Sequence, residues 1–151
     1  MALQIGDKIP ETLGTDQNGE PIKAEQFRGK KLALYFYPKD NTPGCTAQAC
    51  NLRDNIAGLT AKNIAVLGVS ADSESSHVKF TDKYELNFPL LVDTDRTIIE
   101  AFGVWGPKKF MGKTYDGINR TTFIIDENGT IQEVISKVDT KNHTQQILDL
   151  L

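Results

Sequence analysis

Cysteine is scarce in this 151-residue chain: only Cys45 and Cys50 occur, five positions apart, which excludes a disulfide-stapled scaffold. A reducing compartment would keep both as thiols at rest, and redox cycling suits such a pair better than a structural bridge. Histidine is equally sparse. His77 and His143 show no paired spacing, so the four-ligand set of a structural zinc site is not expected, and both read most simply as surface residues of helices. No apolar run approaches the roughly 18 residues of a membrane span. The first seven residues lack a charged region followed by an apolar one, so a soluble, cytoplasmic protein is expected. Basic runs are also missing. With a net charge of −3 and a pI near 5.4, nucleic acid and anionic membranes are not expected partners. There are no internal repeats or low-complexity linkers, and 39% hydrophobic content fills one core, which points to a single domain over residues 1–151.

What is present centres on residues 31–59. Residues 31–37, Lys-Leu-Ala-Leu-Tyr-Phe-Tyr, form a near-continuous apolar run stopped by Pro38, the pattern of a strand covered on both faces. A helix follows, with Pro43 suited to its first position and Thr42 as its N-cap. At 100° per residue, Cys45, Ala49, Leu52, Ile56 and Leu59 fall within about 40° of one line, an apolar stripe facing the core. Cys50 lies about 140° from Cys45, off that stripe and nearer water. A thiol in a helix's first turn meets unpaired N–H groups and the positive dipole end, which favour the thiolate. The gain is large in principle: at a pKa of about 8.5 roughly 3% of a thiol is ionised at pH 7, and at about 6 roughly 90%.

Elsewhere the pattern alternates strands and helices. An Asn18-Gly19 step predicts an N-terminal hairpin within residues 13–22, and residues 24–28 a single helical turn closed by Gly29. Residues 64–70 read as a second buried strand, parallel to the first across a right-handed crossover. Asp72 or Ser73 caps a helix to about Tyr84 with Val78 and Phe80 inward; residues 89–93 form a short edge-like strand, and residues 97–102 a brief helix ended by Gly103. Residues 105–118 are glycine-rich without a clean period and read as a loop bordering the site, Trp105 being a packing anchor. Residues 121–136 form a second hairpin over Asn128-Gly129, and residues 140–151 the last helix. The sum is a mixed α/β sheet with helices on both faces and an added N-terminal hairpin.

Pro38-x-x-x-Thr42-x-x-Cys45 resembles the active-site motif of peroxiredoxins. The run Thr42-Pro-Gly-Cys-Thr-x-x-Ala-Cys50-x-x-Arg-Asp54 resembles their bacterioferritin comigratory protein, or peroxiredoxin Q, subfamily. The likeness extends through Phe102-Gly-Val-Trp-Gly106, residues 110–118 and Arg120-x-x-Phe-x-Ile-Asp126, covering nearly the whole chain. The resemblance implies a thioredoxin-like fold and a peroxidase for hydrogen peroxide and organic hydroperoxides, regenerated by thioredoxin or another dithiol. It also implies that no haem, flavin or metal cofactor takes part. The chain is expected to act as a monomer.

It further implies roles. Cys45 would be the peroxidatic cysteine, forming a sulfenic acid. Cys50 would be the resolving cysteine, bonding to Cys45. Arg120 would favour the thiolate and polarise the peroxide. Thr42 would orient the substrate, Pro38 would wall it from water, and the N–H groups around Gly44 and Cys45 would hold its oxygens. Plainer readings stand beside these: Cys45 as a small buried hydrophobe, Thr42 as a cap alone, Arg120 as a solvated flank, Pro38 as a strand terminator. Arg53 reads as a surface ion-pair residue. Gln48 departs from the many relatives that carry an acidic residue there, although others have glutamine, and a neutral amide leaves any acid–base role for it open. Two other functions use the same cysteines: a thioredoxin-type thiol–disulfide oxidoreductase, disfavoured because the pair is not Cys-x-x-Cys and no proline precedes the Thr121 strand, and a non-enzymatic redox sensor.

Overall fold

A computed structural model describes residues 2–151. The chain opens with β1 (Thr12–Asp16) and β2 (Pro21–Lys23), antiparallel across the Asn18-Gly19 turn, then a 3₁₀ turn at Ala24–Phe27. It continues through β3 (Lys31–Phe36), α1 (Pro43–Asp54), α2 (Ile56–Ala61) and β4 (Ile64–Ser70). Next come α3 (Glu74–Tyr84), β5 (Leu90–Val92) and α4 (Thr97–Ala101). It ends with β6 (Trp105–Phe110), β7 (Lys113–Ile118), β8 (Thr121–Ile125), β9 (Ile131–Ile135) and α5 (His143–Asp149).

Seven strands form one sheet in the order β2-β1-β5-β4-β3-β8-β9. β3, β4 and β5 run parallel, and every other pairing is antiparallel. The unbroken apolar runs of β3 and β4 follow from burial on both faces. Leu32, Leu34 and Phe36 point into one core with Ile98, Ile99 and Phe102 around α4. Ala33, Tyr35 and Tyr37 point into the other, under Cys45, Ala49 and Leu52 of α1, Phe80 of α3 and Ile147 of α5. This thioredoxin-like arrangement leaves the β3–α1 junction above the middle of the sheet, where the chain passes from strand to helix.

Four sequence expectations need correction. The helix expected from Pro43 through Leu59 breaks at Asn55 (φ −114°, ψ 9°), whose side-chain amide donates to the Asn51 carbonyl at 2.7 Å and competes with the backbone ladder. β5 is not an edge strand, because β1 pairs with it and covers it. The segment read as a loop over residues 105–118 is the β6–β7 hairpin, turned by Met111 (φ 52°) and Gly112 (φ 78°), the two left-handed residues of a tight hairpin turn. The final helix starts at His143 rather than Thr140, since Asp139 holds the intervening turn by accepting from the Lys141 N–H through its side chain and from the Asn142 N–H through its carbonyl.

Candidate active site

β3 ends at Phe36, and five residues later Asn41 takes a left-handed φ of 58° to turn the chain into α1. Thr42 occupies the N-cap position with extended backbone, and its carbonyl accepts the first helical bond from the Thr46 N–H at 2.8 Å. Its hydroxyl, however, donates to the Lys39 carbonyl at 2.9 Å and makes no capping bond. With Pro43 lacking an N–H, the Gly44 and Cys45 N–H groups at the helix start are left without a side-chain cap. Pro38, Thr42 and Gly44 are half-buried.

Cys45 is 1% exposed and sits on the apolar stripe beside Ala49 and Leu52. Arg120, in the short link between β7 and β8, reaches it from the start of the strand paired with β3: Nη2 donates to Cys45 Sγ at 3.3 Å and Nη1 to Gln48 Oε1 at 2.7 Å. The guanidinium fork thus spans one helical turn of α1. Gly44 makes room for it, because a Cβ there would stand 3.2 Å from Arg120 Nη2. Cys50 lies farther along the same helix, half-exposed, and both cysteines are free thiols.

Gln48 is the residue whose place the sequence did not reveal. It is fully buried, and because only its oxygen can accept from Arg120, its NH₂ must point elsewhere; that nitrogen has no hydrogen-bond partner among the described residues. Tyr35, on β3 beneath α1, likewise has a buried hydroxyl without a partner. Burial, then the neighbouring charges of Cys45 and Asp40, push its phenol well above the ordinary tyrosine range. Lys108 of β6 is a second cation at the site, its Nζ donating to the Ile118 carbonyl at 2.8 Å. Burial, with Arg120's charge second, holds its ammonium below the usual lysine range, while Cys45 acts in the opposite sense. Lys108 was hidden in the segment read as loop. Trp105 packs half-buried against the core on the α4 side, with Arg96 stacked 4.2 Å over its ring.

Neither histidine lies on the surface, contrary to the sequence reading; both are completely buried. His143 Nε2 meets Thr122 Oγ1 at 2.7 Å and its Nδ1 meets Gln146 Oε1 at 2.8 Å. His77 packs against Asp40 instead. Asp40, Asp72 and His77 bring three metal-ligand-type atoms within 4.8 Å of one another, but these atoms are taken up by short hydrogen bonds among themselves and from Ser70 and Ser76, so the cluster is a proton network. Arg53 does lie at the surface, paired with Asp54 at 2.8 Å.

A thioredoxin-like sheet presenting a buried thiol at a helix N-terminus, under an arginine, defines a thiol-based redox protein. The chain belongs to the AhpC/TSA family, whose sequence model matches residues 5–134. It is similar to peroxiredoxin Bcp of Escherichia coli strain K12, 47% identical over 149 residues that make up 99% of this chain and 96% of that protein. Peroxiredoxin Bcp of Bacillus subtilis strain 168 is 43% identical over 151 residues, all of this chain and 96% of the other. Among solved structures, a mutant of Xylella fastidiosa PrxQ superposes with a TM-score of 0.91 at 31% identity, covering 99% of this chain and 96% of that one. The bacterioferritin comigratory protein of Xanthomonas campestris, described with alkyl peroxide reduction activity, superposes with a TM-score of 0.85 at 30% identity, covering 95% and 96%.

Proposed function

We propose that this chain, a thiol-dependent peroxidase, reduces hydrogen peroxide and organic hydroperoxides through Cys45. The observation that carries the reading is the Arg120 guanidinium 3.3 Å from Cys45 Sγ at the start of α1, where the Gly44 and Cys45 N–H groups carry no cap. The Cys45 thiolate attacks one oxygen of the hydroperoxide; the O–O bond breaks, the leaving oxygen takes a proton and departs as water or alcohol, and Cys45 becomes a sulfenic acid. Arg120 and the free N–H groups hold the oxygens in line and stabilise the charge on the leaving oxygen. The Thr42 hydroxyl donates its hydrogen bond to the Lys39 carbonyl, so its oxygen offers lone pairs to the hydroperoxide proton. Pro38 brings no N–H to compete with the substrate.

Cys50 then attacks the sulfenic sulfur, water leaves, and an intramolecular disulfide forms. A dithiol donor such as thioredoxin returns both thiols by exchange. One seven-stranded sheet carrying both cores supports a single domain over residues 1–151. No helix among the described residues is long and apolar enough to cross a membrane.

Peroxide consumption coupled to thioredoxin and its reductase tests the scheme. Cys45→Ser should abolish turnover, whereas Cys50→Ser should consume one equivalent of peroxide and then stop as the sulfenic acid or its over-oxidised products. Unchanged turnover in Cys45→Ser would remove Cys45 from the reaction.

A further inference from the structure

The loop over residues 38–42 leads into α1, and its anchor is Asp40, a carboxylate only 7% exposed. Asp40 Oδ1 accepts from the Tyr37 hydroxyl at 2.5 Å, Oδ2 accepts from Ser76 Oγ at 2.8 Å and lies 2.7 Å from His77 Nδ1. The Asp40 N–H donates to Asp72 Oδ2 at 2.8 Å. On the other side of the imidazole, Nε2 lies 2.9 Å from the Leu91 carbonyl of β5, which can only accept. A neutral imidazole has one N–H and cannot donate in both directions, so this geometry suits the imidazolium.

We propose that His77 is a positioning residue of the active site: protonated, it latches the 38–42 loop onto α3 and β5, and on losing its proton it releases the loop. The proposal rests on reading Cys45 as the reacting thiol. A latched loop keeps Pro38, Thr42 and the start of α1 in the arrangement that meets peroxide. A released loop favours the unwound arrangement in which Cys45 can reach Cys50. pH would then weigh the two halves of the catalytic cycle against each other.

The surroundings fit a latch. The charged and titratable groups around the ring are Asp40 in the loop, Asp72 after β4 and Tyr37 at the end of β3, whose ring centroid is 6.4 Å away. β5 contributes only its carbonyl. Lys79 and Lys83 of α3 line the surface cleft that Asp40 and Ser76 border. Burial draws the imidazolium down, but the hydrogen bond and charge of Asp40 and the Leu91 carbonyl outweigh it, so His77 titrates above the ordinary histidine value. Once the proton leaves, one ring nitrogen presents a lone pair to an oxygen at under 3 Å, a repulsive contact at a ring that is fully buried. The loop's other ties to α3 are neutral or exposed: Ser76 Oγ donates to Asp40 Oδ2 at 2.8 Å, and at the surface the Tyr84 hydroxyl and Lys83 Nζ donate to Asn41 Oδ1 at 3.0 and 3.4 Å.

Imidazole NMR of the reduced protein between pH 5 and 9 tests the latch without any peroxide chemistry. The chain has two histidines, and His143→Gln assigns the signals. His77 should titrate above about 6.5, and amide protection factors over residues 39–46 should fall severalfold with the same midpoint. In a second arm, the single-turnover peroxide rate should show a descending limb against pH, falling severalfold as His77 deprotonates, and His77→Gln should remove that limb. A His77 midpoint at or below about 6.5, loop protection that does not follow it, or a descending limb that survives in His77→Gln would overturn the latch. A wild-type protein inert to peroxide would instead overturn the peroxidase reading, leaving the NMR result to stand by itself. Should His77→Gln not fold, the wild-type titration decides alone.

Discussion

Arg120 divides its guanidinium between two acceptors, and the division explains why the neutral Gln48 matters. A carboxylate at that position would neutralise the arginine; an amide oxygen orients Nη1 at 2.7 Å yet leaves the full positive charge to act on Cys45 through Nη2. Arg120→Ala removes both bonds, and losing the charge-assisted one to Cys45, about 2 kcal/mol, should slow the peroxide step roughly 30-fold. Gly44→Ala is a milder form of the same change: it places a methyl 3.2 Å from Nη2 at a helical position where alanine is otherwise favourable, so the rate should drop while stability does not. Stopped-flow oxidation and urea unfolding of both variants check this, and an unchanged rate in Arg120→Ala would take the arginine out of the site. From sequence, only the resemblance joins Arg120 to Cys45, because no local pattern spans the 75 residues between them. Gln48 was visible as a departure but not as a partner. The histidines were misplaced for the same reason: each lies on a short helix that reads as amphipathic, while the groups that bury it, Leu91 and Asp40 for His77 and Thr122 for His143, come from 14, 37 and 21 residues away.

At the scale of elements, segments with strong local chemistry were legible: the Asn18-Gly19 and Asn128-Gly129 turns, the doubly buried β3 and β4, and the Pro43 start of α1. The β6–β7 hairpin was not, since Met111 is an unusual residue for a left-handed turn position and the hairpin lies outside the main sheet, so few of its side chains show the alternation that burial imposes. α1 carries the chief mechanical consequence. It holds both cysteines in one continuous helix, where five residues rise about 7.5 Å and separate the Cα atoms by roughly 8–9 Å. A disulfide reaches about 7 Å at most, so closing it must unwind the first turns and withdraw Gln48 from Arg120. Asn51 sets the limit of unwinding, because its side chain donates to the Lys141 carbonyl at 3.1 Å and accepts from the Thr144 N–H at 2.8 Å, tying α1 to α5. Each helical bond lost costs only about 0.5–1.5 kcal/mol net, which a segment anchored from Asn51 onward can sustain. Oxidised protein should therefore lose amide protection over residues 46–50, keep it beyond residue 55, and show less helix by far-UV circular dichroism. An intramolecular Cys45–Cys50 disulfide with an undiminished helix would refute this.

For the molecule as a whole, the two buried histidines pull stability in opposite directions with pH. His77 titrates above its unfolded value of about 6.5, so the folded state binds the extra proton above that pH. Its contribution is complete below about 6.5 and is lost as pH rises through the folded-state value. His143 behaves inversely. Burial first, and the charge of Arg120 among the lesser causes, hold it below the ordinary value despite the bond to Gln146, and the Thr122 hydroxyl can donate only to an unprotonated Nε2. Its contribution is complete above about 6.5 and is lost as pH falls through the lowered value, because the unfolded chain then takes up a proton that the folded one refuses. The carboxylates with lowered values, Asp95, Asp126 and Glu127 under backbone N–H groups, the last also beside Lys31, act near and below pH 4, outside this window. Stability between pH 5 and 8 should therefore form a dome with its crest near 6.5, each flank belonging to one histidine. Urea unfolding of the reduced protein at half-unit steps tests it: His77→Gln should flatten the alkaline flank and leave the acid flank, and His143→Gln should do the reverse. If the acid flank survives in His143→Gln, the protons responsible lie elsewhere, and the Thr122–His143 contact that fastens α5 to the sheet does not depend on a neutral imidazole.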